Sequence, residues 1–453
     1  MLLKLINPKS NLFAMGTCFS AQAVIRLGSS VVLTRILRPE AYGVVTVLTT
    51  VMYIVELLAD IGVTVAVVRE RDAEEPGYLN TAWTLRLARA FLSGLVVFAC
   101  APLIASLYHL PDLVVPIRVV SLWFLIAGLE SMSFPLAIRH NRSRIQMYSE
   151  LTSTFLSSLF AVVYCYYSRT YWGMVYGLLL NRLVITVASF LFYPERRPRL
   201  QIDSAAARNI FRYTRLTVPS GVLTLGLNQF DKFVFLRLFD LRMLGIYGLA
   251  GNIGNQIESL IMLTCERILY PRCAHDFRTT PDRFLTNYYT ANRKLFAGIL
   301  VLPAAVGGAA YFIITLLYDP RYALAAAVLQ AFMLRAVLTA FASSAEVLLI
   351  AAGETKVILV GSLLRTLWLI PASLGGYYFF GFTGFLYGVA LNVLPALVYY
   401  FWLQKKNNLL VIRHEVSKVL LVLGVALAAY ALASALGAVA FGSHFPGNVG
   451  REG

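Results

Sequence analysis

The feature that most constrains this chain is a succession of apolar runs, each long enough to cross a lipid bilayer and each closed by a short charged turn. A spanning helix needs roughly 20 apolar residues, and about 13 such runs fit into the sequence. They fall near 12–37, 42–68, 80–108, 114–138, 149–168, 171–193, 214–239, 243–268, 291–318, 324–352, 357–380, 384–403 and 416–441. Backbone in hydrocarbon must satisfy its own hydrogen bonds, so runs of this length are read as helices. Composition agrees: 58% of residues are hydrophobic and only 14% charged, against about 25% charged in a soluble domain. The expected class is an all-α polytopic membrane protein.

The formal net charge is +16, which in a soluble protein would suggest nucleic acid as a partner. Here it is read as membrane topology, with no nucleic-acid partner. Lys4, Lys9, Arg69, Arg71, Arg139, Arg142, Arg144, Arg196, Arg197 and Arg199 occupy turns on one side, whereas the opposite turns hold mainly Arg38, Arg169, Arg242 and Arg321. Basic residues accumulate on the cytoplasmic side, so the N-terminus is expected to be cytoplasmic. The opening MLLKLINPKSN is too short for a cleavable leader, and the first apolar run is read as an uncleaved helix. The five cysteines are scattered through apolar segments and read as small core residues.

A repeat organises the runs. Leu33–Gly43 (LTRILRPEAYG) turns sharply between the first two, because Pro39 cannot continue a helix. Phe235–Gly245 (FLRLFDLRMLG) repeats the spacing from Arg35 to Gly43 as Arg237 to Gly245. The period implies a duplicated half: a first six-helix lobe over 1–193, a cytoplasmic elbow over 194–213, a second lobe over 214–403, and a loop, thirteenth helix and tail over 404–453. In the elbow, Asp203 and Ser204 can cap a short amphipathic helix carrying Ile210, Phe211 and Tyr213, expected at the membrane interface.

The motif Arg35-x-Leu37-x-Pro39-Glu40-x-Tyr42-Gly43, followed by Asp60-x-Gly62, resembles the first hairpin of the polysaccharide-transporter family. These are oligosaccharide-lipid flippases of the multidrug/oligosaccharidyl-lipid/polysaccharide superfamily. The second half resembles it too, through Asn228, Asp231, Arg237, Leu244-Gly245-x-Tyr247-x-Leu249-Ala250, Tyr270-Pro271, Gly353-Glu354-Thr355-Lys356 and Gly384-x-x-x-Gly388. The resemblance implies two six-helix bundles around a central cavity that opens to each side in turn. It implies a polyprenyl-diphosphate-linked oligosaccharide as substrate, for exopolysaccharide, capsule or O-antigen export across the bacterial inner membrane. Membrane lipid is the medium, and a polysaccharide polymerase and chain-length machinery are candidate partners. Two internal lobes make a monomer sufficient.

Charged groups within the bilayer cost at least about 2.5–3.5 kcal/mol each and face a cavity or a partner. The candidates for a diphosphate and sugar site are Arg26, Arg182, Lys232, Arg335 and Arg365, with Gln22, Asn228, Asn255 and Gln256. Guanidinium forks suit phosphate oxygens. Each has a structural alternative as an ion pair, Arg26 with Glu56 in the neighbouring helix. Glu56, its repeat counterpart Glu258, and Asp231 are candidates for ion coupling; Asp60 is read as structural. Asn252, Asn255, Gln256 and Ser259 form a polar stripe on one helix face, and Arg335, Thr339, Ser343 and Glu346 form another.

Three other functions compete. A cation-coupled exporter of drugs or small amphiphiles calls for a carboxylate-dominated cavity, yet cations here are at least as numerous. A peptidoglycan-precursor flippase shares the mechanism and differs in substrate. A membrane-embedded glycan polymerase or glycosyltransferase would need a sizeable loop or nucleotide-sugar domain. No P-loop and no metal-ligand spacing is present, so neither an enzyme nor a cofactor is expected.

Overall fold

The computed structural model describes residues 11–140, 142, 144–191, 198–212, 230–232, 234, 235 and 237–441. All regular structure among them is helical. Eight helical stretches among the described residues are long and apolar enough to cross a membrane, and one of them, Val357–Lys406, is folded back on itself.

The chain divides into two compact units, the first holding the described residues up to 212 and those of 232–245, the second holding 230, 231 and 246–441. In unit 1, α1 (Asn11–Ile36) turns into α2 (Pro39–Leu58) through Arg38, whose extended backbone (φ −80°, ψ 157°) suits a residue before proline. Pro39 then occupies the first helical turn, where its missing N–H costs nothing. Tyr42 fixes the turn by donating to the carbonyl of Ser30 at 3.2 Å.

Two segments of unit 1 expected as single helices are broken. The run 42–68 splits into α2 and α3 (Val63–Arg69), and the run 114–138 into α5 (Val114–Leu129) and α6 (Ser133–Arg139). At the first break Asp60 accepts the N–H of Gly62, which sits at φ +73°, a conformation that favours glycine. At the second, Glu130 leaves the helical conformation (ψ 132°), and the restart at Ser133 puts Pro135 within a first turn. Three hydroxyls bind this break. Ser131 and Ser133 both donate to the Ser189 carbonyl, at 2.7 and 2.5 Å, and the Ser189 hydroxyl accepts the Ser131 N–H at 2.9 Å.

Between the breaks runs α4 (Pro76–Leu107), packed along α5, with Gly128 against Ala90. Helices α7 (Arg144–Ser168) and α8 (Trp172–Leu191) form a hairpin, and α7 also packs on α1. At one end of the unit, α3, α6 and the start of α4 share one apolar cluster. The elbow joins it. Residues 199–203 lie along α4, held by Asn80, Thr81 and Thr84, and the helix over 204–212 buries Ala206 and Ile210 in the cluster. Asp203 caps this helix by accepting the Ala205 N–H, as the sequence suggests. Its Ile210 therefore packs on protein, while Phe211, Leu200 and Ile202 stay exposed; Tyr213 lies outside the described residues.

The repeated turns meet in unit 1. A carbon added at Gly43 would overlap the Leu241 carbonyl, and one added at Gly245 would overlap that of Pro39. Only glycine permits this approach of two backbones.

Unit 2 continues along α9 (Leu241–Thr264), through a π turn at Cys265–Leu269, into α10 (Tyr270–Thr279). Residues 270–279, expected as loop, are thus helical. The wider π turn accommodates Pro271, which lacks an N–H for the carbonyl behind it. Then follow α11 (Phe284–Gly308), α12 (Ala310–Leu317), α13 (Ala325–Ala351), α14 (Val357–Ala390), α15 (Leu394–Lys406) and α16 (Ile412–Phe441). Helix α13 is the buried axis of the unit. Helix α14 reverses at Gly381 (φ +60°), and its two arms close on one another at Gly376 and Gly384 and at Ala372 and Gly388. Small residues allow that contact where no hydrophobic force drives helices together. Helix α16 packs on α11.

Candidate functional site

Among the described residues, each unit carries a cluster in which two arginines hold one carboxylate. In unit 1 the carboxylate is Glu130, at the α5–α6 break. Arg86 of α4 reaches Oε1 at 2.9 Å, and Arg182 of α8 reaches Oε2 at 2.6 Å. All three are largely buried, at 15%, 16% and 7% side-chain exposure for Arg86, Arg182 and Glu130. Arg182 also lies over the Trp123 ring, 5.1 Å from its centre. Arg89, three residues from Arg86 and hence on the same face of α4, approaches Asp60 at 3.7 Å and donates to the Ala59 carbonyl. The arginines thus sit where α2 and α5 end, opposite the negative ends of both helices.

Two donors in this cluster have no hydrogen-bond partner among the described residues: Arg86 Nη1 and Arg182 Nε. A buried N–H without an acceptor costs about 1–3 kcal/mol. These atoms are places where an incoming acceptor gains most.

In unit 2 the carboxylate is Glu258, inside the unbroken α9. Arg335 of α13 donates to Oε2 through Nε (3.0 Å) and Nη2 (2.7 Å), and Nη2 also reaches Asn255 Oδ1 at 2.7 Å. Thr339 donates to Oε1 at 3.1 Å, and Arg365 of α14 stands 3.9 Å from the same oxygen. Arg335 stacks on Phe332, 4.6 Å from the ring centre. Phe332 in turn packs on Tyr247, whose hydroxyl donates to Asp231 Oδ2 in a short hydrogen bond. Arg365 Nε and Asp231 Oδ1 have no hydrogen-bond partner among the described residues. Further along α13, Glu346 bonds Tyr400.

The structure therefore brings Arg335, Arg365, Glu258 and Asn255 together, with Asp231 in electrostatic reach of Arg335. It brings Arg182 to Glu130 and Arg86. Arg26 and Gln22 belong to neither cluster. Arg26 is exposed on α1, and the carboxylate acting on it is Glu150 of α7. Glu56, the partner weighed for Arg26, instead faces Arg182, Arg89 and Arg86. Gln256 and Lys232 are half-buried, and Asn228 lies outside the described residues.

Glu130, Arg86 and Arg89 escaped the sequence reading. Glu130 was within reach of it, being an acidic residue inside a predicted span. Arg86 and Arg89 sit near the start of a long helix, where basic residues are ordinary snorkelling side chains.

Comparison with known proteins places these features in a family. A family described as "Polysaccharide biosynthesis protein" matches residues 32–327. The amylovoran biosynthesis protein AmsL of Erwinia amylovora is 26% identical over 249 residues, covering 54% of this chain and 63% of that protein. The succinoglycan biosynthesis transport protein ExoT of Rhizobium meliloti is 22% identical over 240 residues, covering 53% and 48%. The lipopolysaccharide biosynthesis protein WzxC of Escherichia coli is 22% identical over 395 residues, covering 83% and 76%. The chain thus matches about half to two-thirds of the length of the first two relatives. Among solved structures, the lipid II flippase MurJ in an inward closed conformation superposes with a TM-score of 0.70 over 95% of this chain and 99% of that one, at 12% identity. An inward-facing multidrug resistance MATE family transporter follows at 0.64, over 86% and 95%, at 15% identity. At such identities the likeness is one of fold, that of an all-α polytopic transporter. With more than half of its length matched by the family, this chain belongs to the polysaccharide biosynthesis proteins.

Proposed function

We propose that the protein is a flippase that moves a polyprenyl-diphosphate-linked oligosaccharide across the bacterial cytoplasmic membrane by alternating access, for export of a surface polysaccharide. It is a carrier and not an enzyme, works as a monomer, and hands its cargo to polymerase and chain-length machinery. The reading is carried by the buried guanidinium groups of Arg86, Arg182 and Arg365 that keep unpartnered N–H donors inside apolar helices. Guanidinium donors in a low-dielectric setting favour a diphosphate head group over a neutral or cationic drug. The family match and the names of the relatives support the glycan.

Arg182, Arg335 and Arg365 are assigned to the head group, with Asn255 and Gln256 toward sugar hydroxyls. Arg26 and Lys232 contribute positive charge, and Gln22 and Asn228 polar contacts. Of the three acidic candidates for ion coupling, Asp231 is buried and accepts the Tyr247 hydroxyl, and the other two separate. Glu258 is clasped by Arg335, Arg365 and Thr339. Glu56 is exposed and is the better proton carrier of the two. The drive is the inside-negative potential, worth about 2.3 kcal/mol per charge per 100 mV for an outward-moving anion.

The test is deletion of the gene in its host, followed by assay of which leaflet holds the lipid-linked oligosaccharide. Accumulation on the cytoplasmic side, rescued by the wild type but not by Arg182→Ala at equal abundance, supports the reading. An unchanged distribution, with no second transporter present, moves the assignment to the small-amphiphile exporter that the MATE likeness would fit.

A further inference from the structure

We infer that Glu130 is a built-in stand-in for the substrate's phosphate: it occupies Arg86 and Arg182 in the empty protein and yields them to the diphosphate, and its displacement re-forms the α5–α6 break. The inference rests on the flippase reading and deepens it at one residue.

Three observations in unit 1 point there. The first is the geometry of the anion. One carboxylate spans two guanidiniums from different helices, Oε1 to Arg86 and Oε2 to Arg182, at 2.9 and 2.6 Å. Two oxygens on one anionic centre, each taking a separate arginine, is also what a diphosphate presents. The second is incomplete satisfaction. The carboxylate leaves Arg86 Nη1 and Arg182 Nε without an acceptor. A diphosphate carries more acceptor oxygens than a carboxylate and can use these two as well. The third is location. Glu130 is the residue at which α5 stops, its own backbone already out of the helix, with Ser131, Ser133 and Ser189 bridging to α6.

The energetics favour an exchange over simple addition. Without an anion, two buried guanidiniums are a strong liability, and Glu130 removes it in the resting protein. When the diphosphate takes both arginines, the carboxylate is left buried without a counter-ion. That burial is costly, and movement of residues 130–132 out of the cluster relieves it. The hydroxyl clasp of Ser131 and Ser133 on Ser189 is what that movement has to break. Substrate arrival is thereby coupled to the bend between α5 and the short helix α6, which carries its apolar cluster and the elbow helix with it.

In unit 2 Glu258 is also held by two arginines, but it lies within a continuous helix and has a third donor in Thr339. The stand-in role is therefore assigned to Glu130 alone.

The experiment uses the full-length protein in nanodiscs, with geranylgeranyl diphosphate as the probe. For Glu130→Gln the expected result is about tenfold tighter binding than wild type, together with a lower melting temperature in the absence of probe. Arg86→Gln and Arg182→Gln are expected to weaken binding about tenfold or more. A residue that merely braces the fold would lower the melting temperature and leave affinity unchanged or weaker, which overturns the inference while leaving the flippase reading intact. No binding to the wild type overturns both. If Glu130→Gln does not fold, hydrogen exchange on the wild type decides. Faster exchange over 129–133 on saturation with the probe supports the exchange of anions; unchanged or slower exchange there overturns it.

Discussion

Glu130 and Glu258 are each held by two arginines, yet one stands where a helix ends and the other inside a helix that does not break. The consequences differ. Around Glu258 the carboxylate uses both oxygens on charged or hydroxyl donors, and Arg335 adds Asn255 and the Phe332 ring. Glu258, Asn255, Arg335 and Thr339 come from the continuous helices α9 and α13, and Arg365 from the first arm of α14. Around Glu130 the carboxylate sits on a backbone that has already left helical geometry, and two arginine donors stay open. The same chemical device serves as a clamp in unit 2 and as a switch in unit 1. The lesson is that a buried ion pair tells little until the backbone beneath it is known.

The contrast can be broken most forcefully at Glu258. Glu258→Ala strands Arg335 and Arg365 in an apolar interior, and loss of one partner of a buried pair costs about 3–5 kcal/mol. Thermal unfolding in detergent should show a correspondingly large fall; a loss under about 1 kcal/mol would mean the cluster is wetter than its geometry indicates. Next comes the paired turn. Gly245→Ala forces a carbon onto the Pro39 carbonyl, and overpacking of this kind costs about 1–3 kcal/mol. Gly424→Ala, where the added carbon meets open space, is the control and should leave the melting temperature unchanged.

A double-mutant cycle sharpens the comparison. Thr339→Val with Arg335→Gln should show coupling of about 0.5–3 kcal/mol, because both bond Glu258. Thr339→Val with Arg86→Gln should be additive, since no described group is shared between the two clusters. At the small end, Glu56→Gln should shift stability by no more than about 0.5 kcal/mol, as expected for an exposed side chain without a direct ion pair, while abolishing any proton dependence of transport. Finally, burial pushes the Cys273 thiol on α10 up to about 12. Maleimide at pH 8 should leave Cys273 unlabelled in the folded protein and label it after denaturation; rapid labelling before denaturation would show that α10 opens.

Much of this was legible in the sequence, for a plain reason. Bilayer-length apolar runs admit few alternatives to helices, and a turn such as Arg38–Pro39 restricts the backbone through proline alone. Gly376, Gly384 and Gly388 advertise close helix contact. The helix breaks were less visible. Asp60-x-Gly62 carries a local signal, an Asx turn ahead of a left-handed glycine, but Glu130–Ser131–Met132 carries little beyond a proline shortly after. Its break is fixed by Ser189, 58 residues away. The clusters were half-legible. Arg335, Thr339 and Glu258 stand out because polar groups at helical spacing in apolar sequence have few explanations. Arg86 and Glu130 depend on which helices become neighbours, and spacing along the chain holds no record of that. The repeat pairs Glu56 with Glu258, but of the two only Glu258 is clasped, a difference set by neighbouring helices and invisible in the spacing.

Movement of a lipid-linked diphosphate sugar can be followed in reconstituted protein. Purified protein in liposomes carrying a polyprenyl-diphosphate oligosaccharide on the inner leaflet should bring the sugar to the outer leaflet, where an external glycosidase cleaves it. Cleavage should depend on the protein, rise with an imposed potential driving anions outward, and fall at least tenfold in Arg182→Ala protein that folds and inserts at equal abundance. Cleavage no greater than in protein-free liposomes, or equal in the wild type and Arg182→Ala, would contradict this account.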